Sequence, residues 1–441
     1  MFSRLVRFFV NVSQRYLPDA YLFAIILTFV AFAAALIWTD KTPMQLLQFW
    51  GGGLWGLLAF AMQMTLILVT GHALASSPVV KGGLRALAQI PQNNASAVML
   101  VVFVAGLASF LNWGFGLVVA ALLAREVAKL GRKVDYPMLV AAGYSGFVIW
   151  HGGISGSIPL AVATKGHLVE KLTGIIPVSQ TIFSVPNLVI TFAVIFTLPI
   201  LFWLVARSKQ ESELIIVDPA LMEEPVAPAA AAAEKTPATV LENSVIVNAL
   251  FALAGVVYLV KHFMDKGFDL NLNIVIMLFL VVGVILHKTP INYVRAINEA
   301  IKGAGGIALQ FPLYGGIQGI MVSSGLAAVI AQGFVSIATA KTFPLMTFLA
   351  GGLINMFVPS GGGQWAVQGP INIPAGIELG VDPAKIALAI SYGDGWTNML
   401  QPFWALPLLG IAKLQVKDIM GYTMLTLIWA GVIFALGLLI F

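Results

Sequence analysis

Cysteine is absent from all 441 residues. That excludes thiol nucleophiles, thiolate metal sites and disulfides, without assigning a compartment. Charge is scarce as well. Asp, Glu, Lys and Arg make up 10% of the chain, against about 25% in soluble domains. Together with 59% hydrophobic residues, this is the composition of a polytopic membrane protein in a lipid bilayer. No Walker A or HExxH string occurs, so neither nucleotide hydrolysis nor zinc hydrolysis is supported. The net charge of +5 does not point to nucleic acid, because the basic residues concentrate on one side of the membrane. Residues 1–19 carry Arg4, Arg7 and Arg15 among aromatics. They are expected to form an amphipathic segment on the cytoplasmic surface rather than a removable signal peptide.

Apolar runs are plentiful, and the most informative one is interrupted. Phe357-Val358-Pro359-Ser360-Gly361-Gly362-Gly363-Gln364 sits between nearly uncharged arms at 343–358 and 365–377. Each arm is shorter than the roughly 20 residues that a crossing helix needs. The segment therefore reads as a re-entrant hairpin that enters and leaves on one side. Pro359 lacks a backbone N–H, and three successive glycines favour non-helical backbone. In hydrocarbon, the freed N–H and C=O groups must meet protein, water or a ligand. Ser360, Gly361, Gly362 and Gln364 are thus candidate substrate-binding residues.

A second copy lies upstream. Phe110-Leu111-Asn112-Trp113-Gly114-Phe115-Gly116 matches Phe357 to Gly363 in Phe, Gly and Gly at the same spacing. The offset, 357 − 110 = 247, also relates Lys41-Thr42-Pro43 to Lys288-Thr289-Pro290 and Ser76-Ser77 to Ser323-Ser324. A constant offset through separate clusters implies internal duplication. Repeat 1 is expected at 20–206, with a hairpin at 97–129 and a broken helix at 137–163. Repeat 2 is expected at 243–441, with a hairpin at 343–377 and a broken helix at 384–412. Residues 207–242, acidic and then rich in Pro and Ala, read as a flexible cytoplasmic linker. The interruption of the second broken helix is expected at Gly393-Asp394-Gly395 and Pro402.

Orientation follows from Lys and Arg. With the N-terminus inside, most of the 24 basic residues fall in cytoplasmic segments, as the positive-inside rule requires. The C-terminus is then periplasmic. Five crossings separate the first span from its repeat mate at 272–287, so the repeats are inverted. The two hairpin tips then meet near the midplane. An all-α protein of this kind, with its site at the interface of inverted repeats, has the architecture of a secondary transporter rather than an enzyme.

The broken helices carry the chemistry. The second reads Ser391-Tyr392-Gly393-Asp394-Gly395-Trp396-Thr397-Asn398. An acid at mid-membrane costs about 2.5–3.5 kcal/mol on insertion scales and needs a proton, a partner or a cation. Asp394 is the candidate Na⁺ site or proton carrier, and its alternative role is a helix cap. Thr397 and Asn398 add neutral oxygens for substrate or a hard cation. The first reads Trp150-His151-Gly152-Gly153-Ile154-Ser155-Gly156-Ser157 after Tyr144-Ser145-Gly146. His151 can bind a carboxylate or titrate with a coupled proton; its alternative is a neutral packing residue. Ser145, Ser155 and Ser157 are candidate carboxylate ligands, helped by the partial positive charge of a helix start. Asn112, Trp113 and Gly114 form the first hairpin tip, where Asn112 and Ser360 are further candidates for the coupling ion, with Thr397. Trp113, Trp365 and Trp396 are expected to wall a small apolar pocket. No cofactor is expected beyond Na⁺ or H⁺ as coupling ion.

The paired hairpins, the two broken helices and the length of the chain resemble the bacterial short-chain fatty acid transporter family, of the acetoacetate and butyrate type, within the ion transporter superfamily. The resemblance covers essentially the whole chain. It implies a scaffold domain, an elevator-like transport domain, commonly a homodimer, and an inner-membrane location. It also implies that the hairpin tips and unwound helices hold a small carboxylate and its coupling ion. Carriers of that superfamily often show Ser-Asn-Thr at both tips; here the tips read Asn112-Trp113-Gly114 and Pro359-Ser360-Gly361.

The expected function is Na⁺- or H⁺-coupled transport of small monocarboxylates. The alternatives are a carrier of another organic anion, such as a dicarboxylate, and a passive channel. More remote is an intramembrane hydrolase, suggested by Gly143-Tyr144-Ser145-Gly146. Because the chain has no native cysteine, Asn112→Cys and Ser360→Cys can report topology through impermeant thiol reagents. The two positions are expected to label from opposite sides. Labelling of both from one side only, in every transport state, contradicts inverted repeats.

Overall fold

A computed structural model describes residues 8–9, 15, 20–167, 169–218, 236–267, 272–359, 361–401 and 403–441. Among these residues the protein is all-helical. Most of segment 1–19, the linker stretch 219–235, Ser360 and Pro402 lie outside the described residues.

In the first half the principal helices are α1 (Ala20–Trp38), α2 (Pro43–Gly53), α3 (Leu58–Ser76), α4 (Pro78–Gln89), α5 (Asn94–Leu111) and α6 (Trp113–Lys129). They are followed by α7 (Tyr136–Ser145), a 3₁₀ turn (Gly146–Gly152), α8 (Ser157–Val162) and α9 (Val185–Ser208). The second half contains α10 (Val245–Lys266), α11 (Leu272–His287), α12 (Pro290–Ala300), α13 (Gly305–Ser323) and α14 (Leu326–Ser336). It ends with α15 (Phe343–Asn355), α16 (Gly361–Glu378), α17 (Pro383–Thr397), α18 (Ala405–Ala412) and α19 (Val416–Ile440). Four helices, α5, α9, α10 and α19, are each long and apolar enough to cross a membrane by length and composition. The pair α13 and α14 meets the same test jointly across a bend of 58°.

Helix starts recur at the 247-residue offset. α2 begins at Pro43 and α12 at Pro290; α3 begins at Leu58 and α13 at Gly305; α7 begins at Tyr136 and α17 at Pro383. Local chemistry explains several of these ends. Thr42 caps α2 through a capping box with Gln45, and Pro43 supplies a preset φ at the first helical position. Asp135 caps α7, its carboxylate accepting from the Met138 N–H at 3.3 Å. Asp135 is fully buried and also takes an ion pair from Lys209 and a hydrogen bond from Tyr422. Burial pushes its carboxyl above the usual carboxylate range, and Lys209 opposes that shift.

The chain breaks at Asn112, between α5 and α6, and again across residues 356–360, between α15 and α16. The break at 146–156 also falls where its glycines cluster. One expected interruption is displaced. Gly393-Asp394-Gly395 lies inside α17, which stays helical to Thr397; the regular helix ends there and resumes at Ala405. These glycines serve close approach instead of unwinding. A Cβ on Gly393 would collide with the Phe348 carbonyl oxygen and lie 2.9 Å from Gly351 Cα. The missing side chain lets α17 cross α15 backbone against backbone.

Gly393→Ala is therefore expected to force α15 and α17 apart, with a loss of about 1–3 kcal/mol of stability. Gly333, with nothing within 4 Å of its Cβ position, is the control, and Gly333→Ala is expected to be neutral or mildly stabilising. Thermal unfolding of the detergent-purified protein measures both; equal midpoints for the two variants would contradict the crossing argument.

Candidate functional site

The site is assembled where the two broken helices face each other. His151 closes the 3₁₀ turn after α7, and Asp394 lies in the last turn of α17. Their side chains meet: His151 Nε2 is 2.9 Å from Asp394 Oδ1, with only 1% and 0% of the two side chains exposed. The remaining polar atoms, His151 Nδ1 and Asp394 Oδ2, are buried without a partner among the described residues. A buried carboxylate cannot stay charged and alone. One proton on the Nε2–Oδ1 line supports either ionised Asp with an N–H donor or protonated Asp with neutral imidazole as acceptor. The pair is thus two ionisable groups sharing one buried hydrogen bond. Asp394 has no basic residue near it in sequence, and the fold brings His151 to it from 243 residues away.

The second tip packs onto this pair. A Cβ on Gly361 would stand 2.7 Å from His151 Cε1, 3.0 Å from His151 Nε2 and 3.1 Å from Ser157 Cβ. Only glycine permits that approach without shifting the imidazole. The first tip packs against the same segment from Phe110 onward. The Ile154 N–H donates to the Phe110 carbonyl at 2.8 Å, and the Trp113 N–H donates to Ser155 Oγ at 3.0 Å. Residues 151–157 therefore contact both tips, and the first tip satisfies the freed Ile154 N–H.

A cluster of neutral oxygens and amides lies beside Asp394. Asn355 Nδ2, at the end of α15, is 2.8 Å from the Asp394 carbonyl, 2.9 Å from Thr397 Oγ1 and 2.8 Å from Asn398 Oδ1. Thr397 Oγ1 donates to the Gly352 carbonyl at 2.8 Å, and Tyr144 OH donates to the Asn398 carbonyl at 2.7 Å. Turning the Asn398 amide over lets its oxygen accept from Trp150 Nε1 at 3.1 Å. On α16, Gln364, Gln368 and Asn372 are spaced four residues apart and fully buried. Gln364 Nε2 donates to the Gly351 carbonyl and to Gln368 Oε1, both at 2.9 Å, and Asn372 Nδ2 donates to Thr347 Oγ1 at 3.0 Å. Gln364 Oε1 and Gln368 Nε2 are left unpartnered.

Other candidates take structural partners. Asn112 Oδ1 caps α6, accepting from the N–H groups of Gly114 and Phe115 at 3.0 and 3.1 Å. Gly114 packs on Ile67. Ser145 Oγ accepts from Thr426 Oγ1 at 2.7 Å, which ties α7 to α19. Gly362 has nothing within 4 Å of its Cβ position. Ser360 lies outside the described residues. The three tryptophans expected to wall one pocket are dispersed. Trp113 packs edge-on to Trp150 and Trp404, with centroids 6.0 and 5.1 Å away. Trp365 belongs to a separate apolar cluster with Ile158, Ile386 and Ile390. Trp396 leans on Phe348 and donates to the Leu427 carbonyl at 2.6 Å. Short apolar helices on different sides of the break carry them apart, and local sequence proximity to a tip does not reveal that.

Tyr144, Trp150, Asn355, Gln368 and Asn372 are the additions to the site. Amides recurring every four residues in the apolar arm 365–377 are the sequence signal for Gln368 and Asn372. For Asn355 the signal is a lone amide two residues before Phe357.

Apolar helices that break in pairs, with ionisable and amide side chains gathered at the breaks, define a multi-pass membrane transporter. The short chain fatty acid transporter family model matches residues 1–441, and the chain belongs to that family. A curated relative from Escherichia coli (strain K12) is 46% identical over 442 residues, spanning 100% of both chains. Another from Haemophilus influenzae (strain ATCC 51907 / DSM 11121 / KW20 / Rd) is 44% identical over 446 residues, spanning 99% of both. The name of each assigns it provisionally to short-chain fatty acid transport. Among solved structures, the Alcanivorax borkumensis YdaH transporter is 17% identical with a TM-score of 0.45, covering 96% of this chain and 97% of its own. Neisseria gonorrhoeae MtrF is 16% identical with a TM-score of 0.44, covering 98% and 97%.

Gly361→Ala is expected to displace His151 from Asp394 and to lower substrate uptake at least tenfold at normal expression. Gly362→Ala, with open space at its Cβ, is expected to retain uptake within about twofold. Uptake by cells expressing each variant measures the contrast; equal activity would detach the second tip from the pair.

Proposed function

We propose that this protein is a secondary active transporter of short-chain fatty acids, such as acetoacetate and butyrate, in the bacterial inner membrane. The coupling ion is a proton held by the His151–Asp394 pair. The observation that carries this reading is the pair itself: two ionisable groups from opposite halves of the chain, buried in contact at 2.9 Å. Protonation of the pair changes its charge by one unit, a change well suited to offset the charge of one entering carboxylate. The unpartnered His151 Nδ1 and Gln368 Nε2 are buried donors suited to receive that carboxylate. Recurring helix starts support two inverted repeats, and the tips from each would close on the pair from opposite sides.

One specific observation favours Na⁺ as a second reading. The Asp394 carbonyl and Thr397 Oγ1 stand 2.8 and 2.9 Å from Asn355 Nδ2, and the Gly352 carbonyl is 2.8 Å from Thr397 Oγ1. A hard cation suits such a group of oxygens. Proteoliposomes loaded under an imposed pH or Na⁺ gradient, assayed with labelled butyrate, separate the two. Proton coupling expects accumulation driven by the pH gradient alone. Stronger competition by succinate than by acetoacetate would favour a dicarboxylate carrier, and unsaturable flux independent of both gradients would indicate a channel.

Asp394→Asn tests the pair within this reading. It is expected to abolish accumulation against a gradient while sparing exchange of internal for external substrate. As a helix-ending polar residue, Asn would substitute well. Full gradient-driven uptake in this variant, with unaltered ion dependence, would reduce Asp394 to a structural role.

A further inference from the structure

A second polar site lies away from the pair, at the end of the molecule where α9 finishes and α5 begins. A cavity of about 870 Å³ opens there, between the start of α5, the loop after α6 and the last turns of α9. Arg132, Lys133, Arg207 and Lys209 line it, against one lining carboxylate among the described residues, Glu211. Lys133 pairs with Glu211 at 2.8 Å, and Lys209 pairs with Asp135. The other two cations have no carboxylate partner among the described residues. Arg132 donates to the carbonyls of Gln89 and Pro91, and Arg207 lies over the Trp203 ring, 4.7 Å from its centroid. Among the described residues, two positive charges with no carboxylate partner therefore face one cavity. The first turn of α5, capped by Asn93 at the Ser96 N–H and holding no acid, adds the positive end of its helix dipole. Asn94, on the cavity wall and 9% exposed, has no partner for Nδ2.

On the same helix, next to the cavity-lining Trp203 and Arg207, runs an exposed apolar stripe. Val189, Phe196, Ile200 and Leu204 are 49%, 56%, 52% and 43% exposed on α9. Their spacing of 7, 4 and 4 residues puts them on one helical face, and Arg207 follows three residues later on the same face. At 1.5 Å per residue the stripe runs about 22 Å from Val189 to Leu204, on the order of one acyl chain. Trp203 and Arg207 stand at its end, the pairing of aromatic and cation found at a membrane–water interface.

We propose that this cavity binds the phosphate headgroup of an anionic phospholipid, with Arg207 and Arg132 as its charge partners and an acyl chain lying along the apolar face of α9. The apolar stripe is what favours a lipid over a free phosphate, since a soluble anion has no use for it. A lipid seated there would touch the start of α5, the loop that leads into α7, and α9, and would brace them at the basic face of the membrane.

The test uses the full-length protein purified in detergent. Thermal unfolding is followed with added phosphatidylglycerol, phosphatidylcholine or inorganic phosphate. Phosphatidylglycerol is expected to raise the midpoint more than either of the others. Arg207→Gln is expected to weaken the apparent affinity for phosphatidylglycerol about fivefold and to leave the response to phosphatidylcholine unchanged. An unchanged phosphatidylglycerol response in folded Arg207→Gln overturns the proposal. So does inorganic phosphate matching the full shift, which would mark a soluble-anion site. If Arg207→Gln fails to fold, the wild-type protein still decides the matter. A phosphatidylglycerol with a photoreactive group next to its headgroup should label residues 131–133 or 203–209, and labelling confined elsewhere overturns the assignment.

Discussion

A histidine and an aspartate touching in an apolar interior constrain everything around them. Neither group is stable there alone, because removing one leaves the other buried without its hydrogen-bond partner, at a cost of about 1–3 kcal/mol or more. Holding them together requires α17 and the 3₁₀ turn after α7 to be fixed relative to each other. Asn187 on α9 does part of this. Its Nδ2 donates to the Gly152 carbonyl at 2.9 Å, next to His151, while its Oδ1 accepts from Tyr392 OH at 2.8 Å, two residues before Asp394. Tyr144 does the same from the other side by bonding the Asn398 carbonyl. Each brace joins an element of one half of the chain to an element of the other.

Glycine sets how closely these parts approach. Gly393 lets α17 sit on α15, and Gly361 lets the second tip lie against the imidazole. Neither has a positive φ, so backbone freedom is not the reason for it. Space is. Polar side chains then complete what the broken backbone leaves open: Ser155 accepts from the Trp113 N–H, and Asn112 caps α6. Several residues that look like ligand groups in sequence are thus occupied in keeping the breaks intact, whereas His151 Nδ1, Asp394 Oδ2 and the Gln364–Gln368 amides retain open valences.

The site and the basic cavity use opposite strategies for charge. At the pair, an acid and an imidazole are buried together in direct contact. At the cavity, Arg132 and Arg207 have no carboxylate partner among the described residues and stand beside an open volume, as suits recruitment of an anion. One helix, α9, reaches both places, with Asn187 at one end and Arg207 at the other.

By itself, the sequence determined the class and the places where helices end. Scarce charge and long apolar runs leave only a membrane protein, and Gly and Pro clusters put chain breaks at Asn112 and around Pro359, because these are local properties of backbone chemistry. It also marked His151 and Asp394 singly, since an ionisable residue in an apolar helix is conspicuous on its own. Tertiary structure decided that they are partners, that Gly361 is seated on the imidazole, and that Trp113, Trp365 and Trp396 go to separate places. It decided as well that Gly393 and Gly395 stay helical. The physical reason is common to all of these. A contact between residues 243 positions apart, or a glycine chosen for a neighbour's backbone, depends on how helices cross, and crossing is set by the summed packing of many side chains rather than by any local pattern.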